Sequence, residues 1–251
     1  RDALTTRPQV SGETGFAIAY SVASAAATIA GAFGSPRAAA VTKPVPLALL
    51  AGRAAWRARR RLARPGIDDA LLAGAIVFSA AGDRAMLLEE FSPAVTAAQW
   101  TVKDRRLATG AALFAAGQLG YCGLLFRRGA RPSLRAFAPR IAALSEAAAV
   151  LATHRPRPLT VLMPYGTTLA MMSTLAGNLD TPQPSTRIGG LLFLASDFTI
   201  LNRRHLVRGA TARRVSEAWV LASYFTAQYL LTTALGTAPG PSTSPRVSRS
   251  A

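Results

Sequence analysis

The sequence predicts an all-α fold, a polytopic membrane helix bundle with about eight transmembrane helices. Half of the 251 residues are hydrophobic and only 16% are charged, where soluble domains carry about 25%. Mean hydropathy is positive, at +0.25. The arginines fall in short segments between apolar runs, and several of those runs approach the roughly 20 residues that a helix needs to cross the hydrocarbon core.

A net charge of +17 raises nucleic acid as a partner, but a nucleic-acid binder gathers its basic residues on one face. Here they sit between apolar runs, so no nucleic-acid contact is expected. The basicity reads as topology-setting loops beside anionic lipid. Cys122 stands alone inside an apolar run and can build neither a disulfide nor a thiolate cluster. His154 and His205 both lie beside arginines at segment ends. No multi-histidine or thiolate metal centre is expected.

Taken in order, the chain opens with a polar tail, 1–14, before a first span from Gly15 to Phe33 rich in small residues. Gly34-Ser35-Pro36-Arg37 breaks it, and a shorter second run, Ala38 to Gly52, carries Lys43-Pro44. Arg53 to Gly66 holds six arginines and is expected as an extramembrane connector. The third run, Ile67 to Leu88, contains Asp83. A polar connector with Trp100, Lys103 and Asp104 leads to the fourth, Leu107 to Phe126, which contains Gln118 and Tyr121.

Arg127 to Arg140 is the next basic loop. The fifth run, Ile141 to Thr153, is short, carries Glu146, and suits a tilted or partly interfacial helix. The sixth extends from Leu159 to Leu179 with Pro164-Tyr165 in its first third, and the seventh from Ile188 to Leu201, containing Asp197 with Asn202 just beyond. After an arginine-rich loop the eighth, Ser216 to Leu235, carries Tyr224 and Gln228. The domain organisation is thus a transmembrane domain, 15–236, between the polar tail and a Pro/Ser-rich tail, 237–251, expected to be disordered.

Eight crossings put both termini on one side, and that side carries 16 Lys and Arg against 11 on the other. The positive-inside rule therefore favours cytoplasmic termini, and the membrane expected is a bacterial inner (plasma) membrane.

Two acids inside apolar runs need a reason, because a carboxylate in hydrocarbon is costly and usually functional. Asp83 lies six residues before Glu89, and Asp197 six before Arg203. Lys43 follows Arg37 by six, Tyr165 follows Leu159 by six, and Tyr224 follows Ser216 by eight. All these flanks belong to the same membrane side. At about 1.5 Å per residue, six residues place each group roughly 9 Å below that surface. Gln228, four residues after Tyr224, shares its helix face, and Gln118 reaches a similar depth.

The expectation is a cavity open to one leaflet, lined by two carboxylates, an ammonium, and several hydroxyl and amide groups. Blander readings stand beside it. Asp83 can pair locally with Arg84, and Asp197 can accept a bond from a neighbouring helix. Lys43 can snorkel to lipid phosphates, and Tyr165 and Tyr224 can be interface aromatics. Gln118, Gln228 and Asn202 can simply tie helices together. Spans three and seven also place Phe78 and Phe193 a few residues before their aspartates, a faint mark of four-plus-four duplication.

Four motifs occur together in order: Lys43-Pro-Val-Pro-Leu-Ala-Leu-Leu, Phe78-Ser-Ala-Ala-Gly-Asp83, Gly190-Leu-Leu-Phe-Leu-Ala-Ser-Asp197 with Asn202, and Ser223-Tyr-Phe-Thr-Ala-Gln-Tyr229. In order and spacing they resemble the YhhN-like lysoplasmalogenase family over about residues 15 to 236. The resemblance implies an integral, multi-pass membrane hydrolase. Its substrate would be a lysoplasmalogen-type lysophospholipid, whose vinyl ether bond is cleaved to a fatty aldehyde and a glycerophospho-base. It implies that Asp83 and Asp197 are the catalytic pair. One departure from the family pattern is Gln118, where a histidine is usual.

The implied chemistry protonates the outer alkene carbon, and water then attacks the resulting oxocarbenium ion. It needs one protonated carboxyl and one carboxylate, which a close buried pair can supply by holding one proton between them. On this reading Lys43, Tyr165, Asn202, Tyr224 and Gln228 bind and position the substrate or the water, and the fatty chain lies near Ala25, Ala26 and Ala27. Two other functions fit the same residues. A proton- or ion-coupled carrier would use the aspartates as its coupling site, whereas a non-catalytic lipid-binding protein would tolerate Asp83→Asn.

Overall fold

The computed structural model describes residues 7–60, 65–154, 156–207 and 209–237, without the side chains of 7–11, 147, 150, 151, 154 and 201–206. Nine helices account for nearly all the described residues: α1 (Arg7–Phe33), α2 (Pro36–Thr42), α3 (Pro44–Arg60), α4 (Ile67–Glu90), α5 (Ala97–Arg127), α6 (Leu134–His154), α7 (Leu159–Ala176), α8 (Pro184–Leu206) and α9 (Ala210–Leu235). Among the described residues four segments are long and apolar enough to cross a membrane: Gly12–Phe33, Ile67–Glu90, Ala97–Arg127 and Leu159–Ala176. The protein is an all-α polytopic membrane helix bundle.

The second span is two helices, because Pro44 has no N–H to continue the ladder. Ser35 starts α2 by accepting the Ala38 N–H at 3.2 Å, and the Lys43 N–H ends it on the Ala39 carbonyl at 3.0 Å. Several helices outrun their apolar cores. α3 continues through the arginine segment expected as a connector as far as Arg60, and residues 61–64 lie outside the described ones. α5 starts ten residues before the apolar run, at a capping box in which Thr96 and Gln99 satisfy each other's backbone N–H groups. α6 begins seven residues early and holds Pro139 within it. α1 starts at Arg7, so the described part of the polar tail is helical, whereas residues 1–6 and 238–251 of the two tails lie outside the described ones. Arginine and alanine are good helix formers in water, so the ladder continues past the point where hydrophobicity ends.

The helices pack in a ring running α1, α2/α3, α4, α5, α7, α8, α9 and back to α1, with α9 also touching α3, α4 and α5. α6 packs outside the ring on α7 and α8. The two most extensive pairings are α4 with α5 and α8 with α9, so each aspartate-bearing helix is one arm of a tight hairpin. Glycine allows the first of these. A Cβ at Gly117 would stand 3.0 Å from Ser79 Oγ and 3.1 Å from the Ala75 carbonyl, and one at Gly120 2.9 Å from the Leu71 carbonyl. Bare backbone at these positions lets α5 approach α4 closely, as small residues do in membrane helix pairs.

Candidate functional site

Between the ends of α4, α5, α6, α7, α8 and α9 lies a cavity of about 130 Å³. Lys43, Asp83, Tyr165, Asp197 and Tyr224 all line it, whereas Gln118 and Gln228, counted to a similar depth, do not. The remaining wall is largely apolar, with Leu107 and Phe114 from α5, Ile141 and Leu144 from α6, and Leu162 and Met163 from α7. Met163 is 49% exposed and stands at the rim.

Each aspartate is held by one tyrosine from a different helix. The Tyr224 hydroxyl donates to Asp83 Oδ2 at 2.9 Å, and the Tyr165 hydroxyl donates to Asp197 Oδ2. Asp83 therefore bonds across the bundle to α9, and the bond expected as a local alternative, to Arg84, is not the one it makes. Phe114 packs between the two tyrosines, its ring 6.5 Å from that of Tyr165 and 6.0 Å, edge-on, from that of Tyr224. Phe193 closes Tyr224 from the α8 side at 5.5 Å.

Behind Tyr224 a relay of donors runs away from the cavity. The Tyr121 hydroxyl donates to Gln228 Oε1 at 2.5 Å, and Gln228 Nε2 donates to the Tyr224 oxygen at 3.2 Å. Tyr121 and Gln228 are fully buried, so water cannot replace these bonds, and the chain fixes the Tyr224 hydroxyl proton on Asp83. Gln228 thus acts from behind the lining. Gln118, also buried, accepts from Thr168 Oγ1 at 2.6 Å, and its Nε2 makes no hydrogen bond among the described residues.

Lys43, the C-cap of α2 at the proline break, points its ammonium at Glu217 at 3.4 Å. Neither side chain is more than 16% exposed. The ammonium is thus paired at the cavity wall and does not snorkel outward from the bundle. Asn202 lies on α8, but its side chain falls outside the described ones. Ala25–Ala27 do not border the cavity. Ala27 is fully buried, and Ala25 lines a separate cleft between α1 and α9. The Tyr20 hydroxyl donates to the Phe225 carbonyl at 2.7 Å and fixes α1 against α9, so the space lies instead beside α5, α6 and α7. Among the described residues no group of histidine, cysteine and carboxylate side chains is arranged to hold a metal ion.

Sequence reasoning missed Glu217, Phe114 and Thr168. Helical spacing held the signal for two of them. Glu217, Leu221, Tyr224 and Gln228 recur at steps of four, three and four, and Phe114, Gln118 and Tyr121 at four and three, the stripe that faces a neighbour. Thr168 carried no such mark.

Compared with known proteins, the chain matches the model of the YhhN family over residues 38–235. The chain belongs to that family. No curated protein matches it, and no solved structure does.

Proposed function

We propose that this membrane-embedded member of the YhhN family is a hydrolase cleaving the vinyl ether bond of a lysoplasmalogen-type lysophospholipid, with Asp83 and Asp197 as the acid/base pair. The observation that supports it most is that two carboxyls from different helices face one mostly apolar cavity, each oriented by a phenol. A hydrocarbon chain fits walls such as Ile141, Leu144, Leu162 and Met163, and the ether oxygen would then lie at the polar end.

The reaction adds one water. One carboxyl protonates the outer alkene carbon, leaving an oxocarbenium ion that the partner carboxylate stabilises, as carboxylate pairs do in glycoside hydrolysis. Water adds to the cationic carbon and gives up a proton to the carboxylate. The hemiacetal then breaks its C–O bond, releasing the aldehyde and the glycerophospho-base alcohol. Tyr165 and Tyr224 orient the carboxyls, Gln228 fixes Tyr224, Lys43 with Glu217 meets the charged head group, and Asn202 is assigned to the same polar end. No step calls for a cofactor.

The same reading takes eight crossings, α2 and α3 together making one, with 15–236 as the membrane domain. It places the termini in the cytoplasm and the protein in a bacterial inner membrane. The test is aldehyde release in detergent from a lysoplasmalogen by the purified protein and by its Asp83→Asn and Asp197→Asn variants. Release by the unmutated chain and its loss, by about 10²-fold or more, in both variants is expected. A folded chain that releases none refutes the hydrolase. Transport that needs an ion gradient and leaves the lipid intact would mark a carrier.

A further inference from the structure

At the opposite ends of α4 and α9 from the aspartates lies a second space, about 340 Å³, between α3, α4 and α9. Its floor is made of small and aliphatic side chains, among them Leu50, Ala54, Ala73, Ile76 and Val77. Arg53 and Arg57, one helical turn apart on α3, line it as well. From Asp69 to Val77 the slot follows α4 for about 12 Å along the helix axis. Val77 is 59% exposed, so the slot opens sideways to the surroundings of the bundle.

The two arginines are already arranged to take an oxyanion. The Glu13 carboxylate is gripped by both, its Oε1 accepting from Arg57 at 2.9 Å and its Oε2 from Arg53. The Arg53 side chain is only 10% exposed and lies over the Phe16 ring at 4.4 Å. Its Nη1 is buried and makes no hydrogen bond among the described residues, with the Tyr229 side chain close to the guanidinium. Glu13 itself is 54% exposed, so a competing oxyanion has access to the pair from outside the bundle. Next along α3, the Arg60 guanidinium lies over the Trp56 ring at 4.2 Å, and tryptophan and arginine at a helix end mark the head-group level of a bilayer.

We infer that this slot is a binding site for an anionic glycerophospholipid of the surrounding leaflet, its phosphate on Arg53 and Arg57 in place of Glu13 and one acyl chain in the groove between α3 and α4. Paired guanidinium forks match phosphate oxygens, and the alanines leave the width of a hydrocarbon chain. Basic pockets between membrane helices at head-group level bind anionic lipids by this logic. The slot shares no lining residue with the cavity of Asp83 and Asp197 and does not rest on the hydrolase reading.

The test is native mass spectrometry of the full chain, released from nanodiscs of equal parts phosphatidylglycerol and phosphatidylcholine with matched acyl chains. Retention of one phosphatidylglycerol in preference to phosphatidylcholine is expected. Joint Arg53→Gln and Arg57→Gln replacement is expected to cut that preference at least about tenfold. Glu13→Gln should strengthen retention by removing the competing carboxylate, and Ala54→Phe should weaken it by filling the groove. Glycerol phosphate should not displace the lipid. Equal retention of the two lipids, an unchanged preference without the arginines, or displacement by glycerol phosphate would overturn the proposal. The opposite response to Glu13→Gln separates it from a mere loss of fold.

Discussion

Tyr224→Phe removes one oxygen and leaves the ring in its aromatic nest, with Phe114, Phe193 and Phe225 at 6.0, 5.5 and 5.4 Å. Two bonds go with that oxygen: the donation to Asp83 at 2.9 Å and the acceptance from Gln228 at 3.2 Å. A bond between membrane helices averages about 0.6 kcal/mol in double-mutant cycles, whereas a hydrogen bond to a charged group contributes about 1.5–3 kcal/mol. Gln228 is fully buried, and its orphaned N–H adds a desolvation cost of about 1–3 kcal/mol. The expected loss of stability is therefore about 2–4 kcal/mol, well above the roughly 0.5 kcal/mol typical of uninvolved surface positions. Equilibrium unfolding in mild detergent measures it. The Gln228→Leu single and the double variant complete a cycle, in which the double should cost less than the sum of the singles, because Tyr224→Phe already leaves the amide without its acceptor. A loss under about 0.5 kcal/mol for Tyr224→Phe, or strict additivity, would show that the hydroxyl does not hold Asp83 and Gln228 together, and the positioning argument would fail with it.

Further consequences are open to measurement. Gly82→Ala would place a Cβ 2.9–3.0 Å from three carbons of the Phe114 ring. A loss of about 1–3 kcal/mol by overpacking is expected, recovered by adding Phe114→Leu, with thermal unfolding as the readout. Glu217→Leu leaves the Lys43 ammonium facing the cavity wall without the carboxylate at 3.4 Å. Breaking a fully buried pair costs about 3–5 kcal/mol, and with side chains 16% and 13% exposed about 1–3 kcal/mol is expected here. Lys43→Met combined with Glu217→Leu should be milder than either alone in the same unfolding assay. Arg128→Ala removes donors to the Leu235 carbonyl at 2.7 Å and the Thr237 carbonyl at 2.5 Å. Amide exchange in the last turn of α9 is expected to quicken, with about 1–3 kcal/mol lost.

Composition and run length sufficed for the helical membrane class, because the bilayer imposes one dominant rule on any crossing segment, enough apolar length with its hydrogen bonds satisfied internally. Helix ends were less legible. The apolar run of α5 begins at Leu107, yet the helix starts at Ala97, since a capping box and good helix formers carry the ladder into water without any hydrophobic signal. The Pro44 break was visible as a residue, but its result, an ammonium turned onto Glu217, was not.

Depth along each helix is a one-dimensional quantity, a residue count multiplied by a fixed rise, so the sequence alone could place Lys43, Asp83, Tyr165, Asp197 and Tyr224 at one level, and all of them line one cavity. Rotation about the helix axis and the choice of neighbour depend on which side chains interlock across the bundle. Only the packed structure could assign Tyr224 to Asp83, Tyr165 to Asp197 and Glu217 to Lys43, or move the open space from Ala25–Ala27 to the walls of α5, α6 and α7. Those outcomes turn on contacts such as Gly117 against Ser79 and Tyr20 against Phe225, which join residues far apart in the chain and leave no pattern in the order of its letters.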